Sequence, residues 1–178
     1  RVIYLPWDNG DFAIKFNKQL IVTDLQDSYF YKNSRTLLNA LVELEAQDTA
    51  TAIGNLRETV LKMLFGKMIP RDAGELIAAK FNHSFNERNI YTLDETKIVC
   101  QMAGLIRKRG RKFIIPKKFK DMLSDKNAGE LYHLLFTTFF TKFNMAYGDG
   151  FPELYCIQST IPFSFFVLNK LANDSCKM

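Results

Sequence analysis

At 178 residues, 47% hydrophobic and 24% charged, the chain has ordinary globular usage, which excludes wholesale disorder. Its three cysteines, with no C-x-x-C pair, exclude a disulfide framework and a zinc ribbon and suit a reducing, cytoplasmic setting. The net charge of +5 is local: residues 107–120 hold eight bases and no acid, which leaves the remainder at −3 and excludes a uniformly cationic surface.

Arg1 in the first position, rather than Met, reads as a trimmed start or a piece of a longer chain. There is no signal-like opening, and no uncharged apolar run reaches the ~20 residues needed to span a bilayer. The nearest approach, Ile157 to Leu168, contains Pro162. No membrane partner is expected. The sixteen phenylalanines bring large apolar area without a polar handle and predict a dense core.

In chain order, Asp8-Asn9-Gly10-Asp11 reads as a tight turn, because the oxygen ligands of a calcium loop do not continue downstream. Phe12, Ile14 and Phe16 then alternate with Ala13 and Lys15. Asn17-Lys18 offers a turn into Gln19 to Val22, so an N-terminal β-hairpin is expected. Ser34 is a candidate cap for a helix with Leu37, Leu38, Leu41 and Val42 on one face. Gly54-Asn55 interrupts that pattern. The next helix carries Leu56, Val60, Leu61, Leu64 and Met68, pairs Glu58 with Lys62, and stops at Pro70. Asp72 with Glu75 resembles a capping box opening a short helix through Phe81, and residues 82–91 look like a loop.

Thr92 and Glu95 form a second capping-box signature. The helix that follows should bury Ile98, Val99, Met102 and Ala103 and end at Gly104. Residues 105–115 read as two short strands around Arg109-Gly110-Arg111, closed by Pro116. Phe119, Met122 and Leu123 then give a short helix with lysines on its other face. From Asn127 the chain is helical and aromatic. Leu131, Leu135, Phe136, Phe139, Phe140 and Phe143 leave a narrow polar stripe of His133, Thr137 and Thr141. Gly148-Asp149-Gly150 breaks that helix, Pro152 can start another, and Pro162 is expected to start a last apolar helix to Leu171.

The expected fold is therefore mainly α (α+β): a helical domain with an N-terminal β-hairpin and a second β-hairpin embedded further along. One continuous domain over 1–178 is favoured, with possible sub-units 1–91, 92–123 and 124–178. The segment TLDETKIVCQMAGLIRKRGRKFIIPKKFKDML resembles the winged-helix superfamily. That resemblance implies a recognition helix at 94–103, with Lys97, Cys100 and Gln101 facing outward, and a wing tip at 108–112. The segment KFNMAYGDGFPELYCIQSTIPFSFFVLNKLA resembles the C-terminal helical part of uncharacterised bacterial proteins, some related to a plasmid-borne open-reading-frame family. This second resemblance implies no reaction or ligand.

Arg107, Lys108, Arg109, Arg111 and Lys112 in the hairpin, with Lys117 and Lys118 behind it, could neutralise phosphates without choosing sequence. Gln101 is the one good base-reading side chain, and Asp94 and Glu95 would repel phosphates at the start of the helix. The same cations could be solvated or paired with acids elsewhere, or could engage an acidic protein. Glu43, Glu45 and Asp48 form an acidic cluster read as solvated. His83 and His133 have no ligand at metal spacing, Cys100 and Cys156 have no evident base, and no nucleotide, cofactor or catalytic motif occurs. A binding module with no cofactor is the leading reading. A ligand site or enzyme centre near His133 and the Gly148–Glu153 turn is its rival.

Overall fold

The stripe Leu37, Leu38 and Leu41 lies fully inside on α1 (Tyr29–Glu43). The computed structural model to which it belongs describes residues 15–75, 77, 87–147, 152 and 155–173. The fold is mainly α, with one two-stranded antiparallel sheet among the described residues. The chain divides into two compact units, 18–135 and 136–178 with 1–17, and each is taken by itself.

In unit 18–135, α1 starts earlier than expected. Its cap is Ser28, whose Oγ accepts the Tyr31 amide at 3.4 Å, whereas Ser34 is buried inside the helix. Residues 19–22, the expected second arm of the N-terminal hairpin, form no strand. The Asp24 carboxylate accepts the Ile21 amide at 2.9 Å and holds a 3-10 turn over Val22–Leu25, a local bond that competes with strand pairing. Of the first arm, Lys15 and Phe16 form no strand, and Phe12 to Ile14, with the turn at 8–11, lie outside the described residues.

Helix α2 (Glu58–Phe65) has the expected face: Leu56, Val60, Leu61, Leu64 and Met68 are all buried, and Glu58 pairs with Lys62 at 2.6 Å. It ends at Gly66, ahead of Pro70. Asp72 accepts the Glu75 amide at 2.9 Å, as the sequence suggested, and residues 73–75 are helical. The rest of the segment to Phe81, Ile77 apart, lies outside the described residues.

Helix α3 (Tyr91–Met102) is not opened by its own capping box. The buried Glu75 carboxylate accepts the Thr92 amide at 2.7 Å and the Thr92 hydroxyl at 2.6 Å, so a cap from another segment replaces the local one. Its buried face is also turned from expectation. Thr92, Leu93, Thr96, Lys97, Val99 and Cys100 are inside, while Ile98 and Ala103 are part-exposed and Met102 is exposed. Helix α3 packs on α1. It ends in a Schellman motif. Gly104 has φ +76°, its amide donates to Gln101 at 2.9 Å, and that of Leu105 to Cys100 at 2.9 Å, with Leu105 buried.

Strands β1 (Arg107–Arg109) and β2 (Lys112–Ile114) pair in the register Arg107–Ile114, Lys108–Phe113 and Arg109–Lys112. Gly110, with φ +60°, takes the first central position of the turn; that is the Gly-first pattern of a II′ hairpin. Helix α4 (Lys117–Lys120) follows Pro116, and two 3-10 turns lead into α5 (Ala128–Thr141). Gly129 packs directly on backbone: its amide donates to Leu20 at 2.8 Å.

The second unit takes the end of α5 and α6 (Tyr155–Asn173). Its core is aromatic. Phe136 meets Phe16 at 5.0 Å, Phe140 at 4.4 Å and Phe165 at 5.7 Å, and Phe139 stacks on Phe143 at 5.2 Å. Gln158 Nε2 donates to the Phe140 and Phe143 carbonyls at 3.1 and 2.9 Å, satisfying acceptors at and beyond the end of α5. Pro162, expected to start a helix, lies buried inside α6. The proline removes one backbone donor, and the helix continues around it, with Ser164 Oγ bonded to the Thr160 carbonyl at 3.2 Å.

Candidate functional site

The hairpin is held by a segment that the sequence did not mark. Thr49 Oγ1 accepts the Phe113 amide at 2.8 Å, and the Ala50 amide donates to the Arg111 carbonyl at 2.8 Å. Residues 49–50 thus cover the outer edge of β2. Phe113 is 1% exposed and sits 5.1 Å above the Lys97 ammonium. Residues opposite each other in an antiparallel pair share a face, and faces alternate along a strand. Lys108 therefore shares the inner face with Phe113, and Arg107 and Arg109 point outward.

The eight cations sort accordingly. Lys112 Nζ donates to the carbonyls of Glu45 and Ala46 at 3.2 and 2.8 Å, just past α1, where the helix dipole is negative. Lys120 pairs with Glu45 at 2.7 Å. Arg111 and Arg57 share Asp48 at 3.9 and 3.4 Å, and Lys108 donates to the Ala52 carbonyl. Lys118 lies 4.5 Å above the Phe119 ring. Arg107, Arg109 and Lys117 are exposed and have no internal partner among the described residues. Two of the three acids read as a solvated cluster, Glu45 and Asp48, are thus the hairpin's counter-charges.

Beneath the hairpin, Lys97 pairs with Glu87 and donates to the Gly54 carbonyl at 2.9 Å. Glu87 in turn accepts the Leu56 amide at 2.5 Å. Lys97 and Cys100, expected to face outward, are instead 5% and 0% exposed, because α1 packs on their face and Glu87 neutralises the lysine. Burial pushes the Cys100 thiol up to about 12, with Ser34 beside it pulling weakly the other way, so it is no nucleophile. Gln101 is exposed as expected. Its neighbours on the open side of α3 include Asp94 and Glu95. Burial raises the Glu95 carboxyl above its ordinary value, and nearby Arg71 offsets part of the rise.

A cleft of about 440 Å³ opens beside the turn, lined by Thr51, Arg57, Thr59 and Arg111 among others. His133 is half-buried on α5. His83 lies outside the described residues, as do Gly148 to Phe151 and Glu153, which make up most of the turn of the rival site. Among the described residues no helix is long and apolar enough to cross a membrane, and no three metal-ligating side chains cluster. Comparison with protein-family models, curated proteins and solved structures finds no match to this chain.

Proposed function

We propose that the chain is a binding module that engages the phosphate backbone of a nucleic acid through the outward face of its hairpin and the start of α4. The observation that carries this reading is the trio Arg107, Arg109 and Lys117, exposed and without internal counter-charge, with half-committed Arg111 and Lys118 beside them. The order α3, Gly104, β1, β2, α4 supports a winged-helix reading with the hairpin as wing. In that reading α3 adds little base recognition. Its open side offers Gln101 but also Asp94 and Glu95, so contact is with backbone and not with sequence. A cytoplasmic setting suits both this partner and the buried free thiol of Cys100.

The test is a salt titration of binding to mixed-sequence duplex and single-stranded DNA and RNA, with R107E/R109E/K117E as the variant. The expected result is Kd on the order of micromolar at low salt, a steep fall as salt rises, and loss in the variant. Absence of binding at 20 mM salt, or binding unchanged in the variant, overturns the proposal. Capture of polyglutamate without capture of nucleic acid also overturns it and assigns the surface to an acidic protein.

A further inference from the structure

The segment that covers the edge of β2 runs on into a tight loop. Ala50 and Leu56 form an antiparallel bridge and both are buried, so each foot of this loop is anchored in the core. The Thr51 amide donates to the Asn55 carbonyl at 2.8 Å, the Gly54 amide to the Thr51 carbonyl at 3.1 Å, and the Asn55 amide to Thr51 Oγ1 at 3.0 Å. Gly54, at φ +94°, takes the left-handed conformation that lets the chain turn back. Ala52 and Ile53 are thereby the two central residues of a hydrogen-bonded turn.

Ile53 is 84% exposed, more than any other large apolar side chain among the described residues. A single apolar residue on a surface is ordinary. This one is held out by a loop braced across its width, and cations border it. Lys108 of β1 donates to the Ala52 carbonyl, and its stem lies 3.9 Å from where a Cβ on Gly54 would sit. A carbonyl partner leaves that ammonium charged. Arg57 and Arg111 line the cleft with Thr51 and Ala52, and they share the single carboxylate of Asp48, which leaves one positive charge in excess. Glu58, also in the lining, is occupied by Lys62. Arg109, exposed on the outward face, follows Lys108 at the tip of the hairpin.

We infer that Ile53 is a wedge: with the hairpin's cations on phosphates, it enters the stack of a DNA duplex and opens one base step. This rests on the nucleic-acid reading above and narrows its substrate to a duplex with a weakly stacked step. An apolar side chain inserted between bases unstacks and kinks the duplex, and the bend brings more phosphate to the flanking cations. Isoleucine suits the task, since it has no polar atom to desolvate and its β-branch is stiff. The braced loop suits it too, because little ordering entropy is lost on insertion. Ile53 and Ala52 alone are too little apolar surface to anchor the chain in a bilayer.

The experiment is fluorescence anisotropy at several salt concentrations with a short DNA duplex, either fully paired or carrying one central mismatch. The full chain should prefer the mismatched duplex by about tenfold, because that step is already loosened. Ile53→Ala should cut the preference below about twofold while leaving the slope of log K against log salt unchanged, since no charge is lost. Its thermal midpoint should match that of the parent protein, since the side chain lies in solvent. Ile53→Leu keeps the apolar bulk and should keep the preference. 2-Aminopurine beside the mismatch should brighten when the parent protein binds and not when Ile53→Ala binds. Binding that is lost in R107E/R109E/K117E but does not distinguish the two duplexes overturns the wedge and leaves the hairpin reading standing. A preference that survives in Ile53→Ala does the same. Absence of binding to both duplexes overturns the hairpin reading and the wedge together. Ile53-dependent binding to phosphatidylserine vesicles, without binding to DNA, overturns both and assigns the tip to a lipid surface.

Discussion

An ammonium group under a hairpin must be neutralised where it sits, since moving a bare charge out of water costs several kcal/mol even after relaxation. Lys97 meets this with three partners of different kinds: the Glu87 carboxylate, the Gly54 carbonyl and the face of the Phe113 ring. Glu87 spends its second oxygen on the Leu56 amide. One ion pair therefore ties together the 54–56 loop, α3 and the underside of β2. Lys97→Met should destabilise the chain by about 3–5 kcal/mol because it leaves a buried carboxylate unpaired. Glu87→Gln should also destabilise it, keeping an acceptor for Leu56 but orphaning the lysine. The double variant should lose less than the sum, by about 1–3 kcal/mol, read from urea midpoints of the four proteins. Additive losses would show that the two charges do not support each other. Cys100, one turn along from Lys97 and fully buried, should resist alkylation at pH 8 until the fold opens, with peptide mapping showing exposed Cys156 modified first.

At the scale of elements, what could be read in the sequence was what is encoded locally. Gly104 and Gly110 marked the helix end and the hairpin turn correctly, because positive φ is a property of the residue itself. The apolar face of α2 was legible for a similar reason: its spacing carries the information. The cap of α3 was not legible, since Glu75 comes from a segment apart from it. Nor was its rotation, because a lysine at a core position reads as surface until its carboxylate partner is placed. The candidate site divided the same way. Its cations were evident from composition, but their division into committed and free ones depended on Thr49, Ala50 and Asp48, which no motif announces. Gly129 shows how far a tertiary contact can override local preference. In an isolated helix Gly→Ala stabilises by roughly 0.8–1 kcal/mol. Here a Cβ would sit 2.5 Å from the Lys18 carbonyl oxygen and 2.8 Å from the Leu20 nitrogen, both backbone. Gly129→Ala should therefore destabilise by about 1–3 kcal/mol, because segment 18–20 must move away and the Gly129–Leu20 hydrogen bond stretches. A denaturant midpoint at or above that of the parent protein would show that this approach is not a constraint.

At the scale of the whole molecule the question is whether the net charge or its distribution governs association. The chain carries +5, but the 107–120 segment supplies all of the excess and the remainder is −3. At physiological ionic strength the screening length is about 8 Å, so a ligand sees the hairpin's cations and little of the average. Five of the eight are partly or wholly engaged by carbonyls, carboxylates or a ring, which concentrates the available field on Arg107, Arg109 and Lys117. This separates two variants of identical net charge. Reversing Arg107, Arg109 and Lys117 to Glu, or reversing the exposed Lys67, Lys142 and Lys170 to Glu, changes the net charge by six and leaves −1 in either case. If the distribution governs, the first variant loses nucleic-acid binding. The second keeps it, with affinity within about threefold and an unchanged slope of log K against log salt. Restoring one hairpin residue at a time to the first variant should return about 0.9 of slope per recovered phosphate contact. Fluorescence anisotropy between 20 and 200 mM salt measures both quantities. Equal losses in the two variants would mean that the protein binds as a diffuse polycation, and the hairpin would then have no claim to be the site.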